Sequence, residues 1–222
     1  MIPWEHLDTA TVPRGGELKL MRRGSEYSIM LGQIELMNSR LSGSEEALAR
    51  LSWERVAGRR APRILIGGLG MGFTLRAMLA AASPGAEIVV AELVPAVAAW
   101  ARGPMAELFG GCLDDRRVRV VETDVGDLFA REEAGFDAIL LDVDNGPEGL
   151  TRAENDALYD FAGLGRAKLA LKPGGVLAVW SQGPDDAFAA RLRRVGFAVE
   201  EARVKAHRGK RGARHVIWLA VR

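Results

Sequence analysis

Cysteine, histidine and long apolar runs are all scarce in this 222-residue chain. A single cysteine, Cys112, excludes an internal disulfide and fits a reducing compartment. The three histidines, His6, His207 and His215, lie far from it in sequence, so the local cluster that a metal site needs is missing and no metal is expected. Cys112 then reads as a packing thiol rather than a reactive one. No apolar stretch approaches the ~20 residues that span a bilayer. Trp4, Glu5, His6 and Asp8 stand where a secretory leader would carry basic and then apolar residues. A cytoplasmic protein with no membrane partner is therefore expected. An excess of charge is absent too: 30 Lys and Arg against 29 Asp and Glu give a net charge of +1. Without a global field there is no general drive toward nucleic acid, and any such contact must come from a local patch.

The composition that remains, 48% hydrophobic and 27% charged, is enough for one substantial core with room for a small appendage. Residues 1–60 differ in pattern from the rest. Leu18–Met21 and Tyr27–Leu31 read as strands around a turn at Arg22-Arg23-Gly24-Ser25, with Gln33–Leu36 as a third strand. Ser42-Gly43-Ser44-Glu45-Glu46 reads as a cap with acidic first-turn residues, leading into a helix through Trp53 and Val56. The regular recurrence of apolar residues favours a small β appendage with a linking helix over a disordered tail.

From Pro62 strands and helices alternate. Strands are expected at 63–67, 87–92, 117–122, 136–142 and 175–181, and helices near 72–82, 94–110, 125–133 and 152–171. Apolar runs such as Ala138-Ile139-Leu140-Leu141 suit parallel strands buried on both faces. A helix at 186–195, a strand at 196–200, a basic loop and a strand at 215–221 end the chain. Two closing strands with no helix between them must pair antiparallel. Residues 61–222 thus form a doubly wound α/β sheet ending in an antiparallel hairpin, which resembles the class I methyltransferase fold more than a dinucleotide-binding dehydrogenase.

The most telling segment joins the first of these strands to its helix: Ile64-Leu65-Ile66-Gly67-Gly68-Leu69-Gly70-Met71-Gly72-Phe73-Thr74. Glycines permit the sharp turn and the close approach of backbone to a ligand. Gly68, Gly70 and Gly72 give G-x-G-x-G, whereas a dinucleotide turn needs its third small residue one place later, where Phe73 stands. Glu92, about twenty residues on at the end of the next strand, is placed to accept hydrogen bonds from ribose hydroxyls. Asp124, in Glu122-Thr123-Asp124-Val125, can accept from an adenine amino group or cap the helix that follows. Asp142 and Asp144 end the fourth strand over the crevice where ligands bind in open α/β sheets, and paired carboxylates there make poor packing residues. The cofactor expected is an adenosyl-sulfonium.

These residues resemble the spermidine synthase family of aminopropyltransferases, which is built on the methyltransferase fold. Gly68–Phe73 occupies the family's GGGDGG segment, and Glu92-Leu93 and Asp124-Val125 follow at their places. Phe136–Asp142 corresponds to YDVIxxD, and Leu171-Lys172-Pro173-Gly174-Gly175-Val176-Leu177 also matches. Upstream, Leu31–Glu46 resembles the family's DGxxQ…DExxYHE segment. The resemblance implies a transferase active in polyamine chemistry, and a homodimer. It places S-adenosylmethionine or its decarboxylated form against Gly68, Gly70, Gly72, Glu92, Leu93, Asp124 and Val125. It also places a small acceptor against Asp142, Asn145 and Glu45, with Asp142 as the catalytic base, and Asp144 is the catalytic carboxylate expected to substitute for the one missing at Asn145.

The departures from the family bear on the reaction. Met71 replaces the aspartate of GGGDGG that faces the donor's aminopropyl amine, and Val94 replaces an acidic residue beyond the ribose carboxylate. Ser44-Glu45-Glu46 replaces a Tyr-His/Gln-Glu run, and Asn145 and Gly146 replace the second aspartate and the proline of DxxDP. Losing an aspartate at Met71 removes a repulsion against a donor carboxylate, which tilts the reading toward intact S-adenosylmethionine. Methyl and aminopropyl transfer both stay open. A second class of function rests on the basic stretch 203–214, with Arg203, Lys205, His207, Arg208, Lys210, Arg211 and Arg214. It is either a phosphate-contacting finger of a noncatalytic or nucleic-acid-associated protein, or simply a solvated hairpin tip.

Overall fold

The computed structural model describes residues 2–13, 15–143, 147, 156–206 and 213–222. Four strands come first, β1 (Glu5–Thr11), β2 (Glu17–Arg23), β3 (Glu26–Leu31) and β4 (Ile34–Asn38), in an antiparallel sheet of that order. Gly24 and Ser25 form a two-residue hairpin loop between the paired Arg23 and Glu26, with Gly24 at φ 63°. Leu18, Leu20, Tyr27 and Ile29 turn into the core. Strand β1 is one more than the sequence suggests. Its residues EHLDTAT lie mostly exposed along one edge, so no apolar alternation marks them.

Helix α1 (Gly43–Val56) buries Ala47, Leu48, Ala49, Ser52 and Val56. The second sheet follows, built from β5 (Arg63–Gly67), β6 (Glu87–Glu92), β7 (Val118–Glu122), β8 (Phe136–Leu141), β9 (Leu171–Ser181), β10 (Ala198–Lys205) and β11 (Arg214–Val221). Its order is β10-β11-β9-β8-β5-β6-β7. Neighbours from β9 to β7 run parallel, and β11 lies antiparallel between β9 and β10. This is the class I methyltransferase-like arrangement with its closing hairpin. Hydrophobic cores lie on both faces of the sheet. One joins α1 and α2 (Phe73–Ala81) to the first sheet, and the other gathers α5 (Val125–Arg131), α7 (Phe161–Ala170) and α8 (Asp186–Val195). Cys112 is buried in a short 3-10 turn, Cys112–Asp114, where burial pushes its thiol pKa up.

Several boundaries depart from expectation for local reasons. The helix expected over 94–110 is two helices, α3 (Pro95–Arg102) and α4 (Ala106–Phe109), broken at Gly103-Pro104. The Pro104 carbonyl instead accepts a hydrogen bond from the Tyr27 hydroxyl at 2.6 Å. In the stretch expected to be helical over 152–171, α6 (Asp156–Tyr159) and α7 are separated by Asp160, which is extended and caps α7 through the Gly163 N–H at 2.6 Å. Strand β9 begins at Leu171, paired with Phe136, and its register shifts before Val176 pairs with Ala138. Strand β10 runs on to Lys205, so Arg203, Lys205 and Arg214 are strand residues rather than part of a loop. Arg203 also pairs with Glu201 at 3.0 Å. His207, Arg208, Lys210 and Arg211 lie outside the described residues. Among the described residues no helix is long and apolar enough to cross a membrane.

Candidate functional site

The turn after β5 is held open by glycines at positions where a side chain cannot stand. Gly68 has φ 91°, and a Cβ there would lie 2.5 Å from the carbonyl oxygen of Asp142. Gly72 has φ 75°, and its Cβ would meet the Phe109 ring at 2.5 Å. The Gly68 N–H donates to the Ala91 carbonyl at 2.9 Å, and the Asp142 N–H to the Gly67 carbonyl at 3.1 Å. The turn is thereby sewn to the carboxyl ends of β6 and β8.

Glu92 secures the same turn from below. It is buried, and its Oε2 accepts from the Leu69 N–H at 2.9 Å while its Oε1 accepts from the Val94 N–H at 2.8 Å. Burial raises its pKa, and these backbone donors counteract that by favouring the carboxylate. The Gly70 and Leu93 N–H groups favour the carboxylate as well, so Glu92 sits in a backbone cradle at the edge of the cavity.

Above this floor is a cavity of about 130 Å³. Gly68, Gly70, Glu92, Leu93, Asp124 and Val125, all expected to touch the donor, line it, and Leu36 and Met37 of the first sheet cover it. Asp124 caps α5 through the Gly126 N–H at 2.8 Å. It therefore acts as a cap and still borders the cavity, so the two readings of this residue do not exclude one another. Gly72 faces elsewhere, onto a second cavity of about 220 Å³.

The second cavity carries the acid–base groups. Glu45, Ser44, Met71, Trp180, Gln182 and His215 line it, and Asp142, Gly70, Leu36 and Met37 border both cavities. Thr74, in the first turn of α2, donates its hydroxyl to Asp142 Oδ2 at 2.6 Å. Burial pushes the Asp142 pKa up, and the Thr74 hydrogen bond opposes that. Glu45 is pushed up to about 7, first by burial and then by the charge of Asp142, against the Ser44 hydroxyl that donates to its Oε2 at 2.8 Å. Ser44 Oγ also lies 2.9 Å from His215 Nδ1, and the His215 ring meets Trp180 edge-on at 4.8 Å.

Asp142 and Glu45 are thus brought together, while Asp144 and Asn145 lie outside the described residues. Ser44, Thr74, Trp180, Gln182 and His215 are the site residues that sequence reading misses. Ser44 and His215 are 171 residues apart, and no spacing rule connects them. Among the described residues no three metal-ligating side chains cluster.

No family model matches the chain. It is 34% identical over 147 residues to the polyamine aminopropyltransferase of Mycobacterium tuberculosis, a match covering 61% of this chain and 27% of the relative. The chain therefore spans about a quarter of the length of the curated relatives it matches. Among solved structures it is similar to a spermidine synthase in complex with the transition state analogue AdoDATO. The TM-score is 0.77 and the identity 18%, over 97% of this chain and 73% of that one. It is also similar to the 1,6-didemethyltoxoflavin-N1-methyltransferase of Burkholderia thailandensis with bound S-adenosylhomocysteine. There the TM-score is 0.56 and the identity 22%, over 82% of this chain and 79% of that one. The chain is thus similar in sequence, over its matched stretch, to a polyamine aminopropyltransferase and in fold, over nearly its whole length, to a spermidine synthase.

Proposed function

We propose that this protein is a transferase that holds an adenosyl-sulfonium donor in the first cavity and passes a methyl or aminopropyl group to a small, amine-containing acceptor in the second. The observation that carries this reading is that the two cavities adjoin at Asp142 and Gly70. A donor and an acceptor there meet across one carboxylate.

The residues suit such a donor. Gly68 leaves backbone bare where a Cβ would collide, the Glu92 carboxylate borders the cavity beside the turn, and the walls around Val94, Val97 and Leu158 are apolar enough for a purine. The donor brings its own leaving group, so the protein supplies position and proton handling. Asp142, held by Thr74, orients the acceptor nitrogen and offsets its charge. Glu45 faces the same space as a second carboxyl, and Asp144 and Asn145 complete the acceptor site in this reading.

Met71 lines the acceptor cavity with a thioether where the related family carries an aspartate. A carboxylate on the donor meets no like charge at that position, so intact S-adenosylmethionine is the donor we favour. Residues 1–60 act as the cover and residues 61–222 as the donor-binding unit, and the same reading takes the protein as a cytoplasmic homodimer. Calorimetry should show S-adenosylmethionine binding more tightly than its decarboxylated form, and equal or reversed affinities would overturn the donor choice. Turnover across a panel of amines, with mass spectrometry of the product, separates an added methyl from an added aminopropyl group. Loss of both, together with salt-sensitive RNA binding, would instead favour a nucleic-acid-associated protein using the 203–214 stretch.

A further inference from the structure

His215 borders the acceptor cavity from the far end of the chain, and it is not isolated there. Its Nδ1 is 2.9 Å from Ser44 Oγ, and Ser44 donates to Glu45 Oε2 at 2.8 Å. Ser44 is only 1% exposed, so this three-residue chain is sealed within the protein at its middle link. A serine hydroxyl has one hydrogen. With that hydrogen on Glu45, the contact to His215 needs its own, so the imidazole must carry its proton on Nδ1. Nε2 is then a bare acceptor. When Glu45 is protonated the sense of the chain can reverse: Glu45 donates to Ser44, Ser44 donates to Nδ1, and the imidazole proton sits on Nε2.

We infer that His215 is a second base of the acceptor cavity, wired through Ser44 to Glu45, so that a proton taken up at Nε2 is delivered to the Glu45 carboxylate. This inference rests on the transferase reading above. In the step, the lone pair of an amine forms the new N–C bond while the C–S bond of the donor breaks and its electron pair goes to sulfur. The surplus proton on nitrogen passes to Nε2, the Nδ1 proton to Ser44 Oγ, and the Ser44 proton to Glu45. The sulfonium charge and the carboxylate charge disappear together, and Glu45 later returns its proton to solvent.

The surroundings suit each end of the relay. Burial keeps His215 neutral by lowering its pKa, leaving Nε2 able to accept. Glu45 titrates near neutrality because burial and the charges of Asp142 and Glu46 act against its ionisation. It therefore both accepts and releases a proton in the working range. Lys205 and Arg214 flank His215 on the closing hairpin, as the pair next to Val204 and His215. The relay also gives Ser44, which stands where the related family has a different side chain, a definite task.

Long-range 1H–15N NMR of the uniformly labelled full chain reads the tautomer directly. In the wild type, His215 should be the Nδ1–H form at pH 8.5 and move toward Nε2–H as pH falls through about 7. Ser44→Ala should abolish the Nδ1–H form, and Glu45→Gln should remove the change near 7. An Nε2–H tautomer throughout, or a Ser44→Ala spectrum like the wild type, would overturn the relay.

Turnover of S-adenosylmethionine and decarboxylated S-adenosylmethionine with mono- and diamines reads its use. His215→Gln should lower kcat by about 10²-fold or more with the donor KM changed less than threefold. Ser44→Ala should flatten the acid limb of the kcat profile. A His215→Gln variant with wild-type kcat would overturn the base assignment even if the tautomers behave as expected. Failure of the wild type to bind either donor would defeat the transferase reading instead, while the tautomer result still decides the relay.

Discussion

The main-chain carbonyl of Asp142 occupies the space a Cβ on Gly68 would need, with 2.5 Å between them. The glycine turn proposed to hold the donor and the strand end that carries Asp142 are thus in direct backbone contact. Gly68→Ala must either push β8 away or give up the left-handed turn at φ 91°. The backbone conformation alone costs on the order of 1–3 kcal/mol for a non-glycine residue, and the collision adds to it. Urea unfolding should show a loss of at least about 2 kcal/mol, and S-adenosylmethionine binding should fall below detection by calorimetry. A Gly68→Ala variant of wild-type stability and affinity would show that the turn can relax away from β8.

Glu92 is a structural brace as well as a candidate ribose contact. Glu92→Ala strips partners from the Leu69 and Val94 N–H groups, both now held within 2.9 Å. An abandoned buried donor costs about 1–3 kcal/mol, although water entering from the cavity recovers part of that. The expected result is about 2 kcal/mol lower stability and at least tenfold weaker donor binding. Weaker binding with unchanged stability would mean that Glu92 meets only the ligand.

Much of this was legible in the sequence where burial is two-sided or glycine is obligatory. Ile64-Leu65-Ile66 and Ala138–Leu141 sit wholly inside the sheet, so their apolar runs announce the strands. Gly68, Gly72 and Glu92 are identified by what their turn requires. Strand β1 was hidden because an exposed edge imposes no apolar pattern. The break at Gly103-Pro104 is marked by its residues, but the expected helix ran through it. The second cavity is harder still to read. Ser44, Trp180, Gln182 and His215 come from three separate elements or their ends, and only the closed sheet places them on one wall. Nothing in the sequence marks Thr74, because its bond to Asp142 depends on how β8 ends beside α2.

Asp137 shows how a motif residue can serve the fold alone. It lies near the start of β8, away from the cavities at the other end of the strand, and its side chain is 3% exposed. It accepts from the Arg63 N–H at 2.7 Å, Lys172 Nζ at 2.7 Å and Arg59 Nη1 at 2.8 Å. Burial raises its pKa, but these three donors prevail and hold it below the ordinary aspartate value. Its contribution is in place above the unfolded-state pKa and is lost as pH falls through the lower folded value. Asp137→Asn should cost about 2–4 kcal/mol by leaving two cations short of a counter-charge, with donor affinity unchanged. A concurrent loss of donor affinity would contradict a purely structural role.

Glu45 should show the opposite pH behaviour. Its folded pKa of about 7 lies above the ordinary glutamate value of 4.5. Between those values the folded protein holds a proton that the unfolded chain has released. Stability therefore falls as pH rises through this interval, and the full penalty is present above 7. The shift corresponds to at most roughly 3 kcal/mol, less in practice because Asp142 shares the cavity and its own proton responds. Glu45→Gln keeps a carbonyl for the Ser44 hydroxyl and removes the charge. It should be more stable than the wild type at pH 8 by about 1–3 kcal/mol, with the two converging at pH 5. Urea midpoints at both pH values measure this directly. The same variant should turn over poorly if the carboxylate that burdens the fold is also the proposed end of the proton relay. Equal midpoints at pH 8 would place the Glu45 pKa in the ordinary range and remove the destination of the proton.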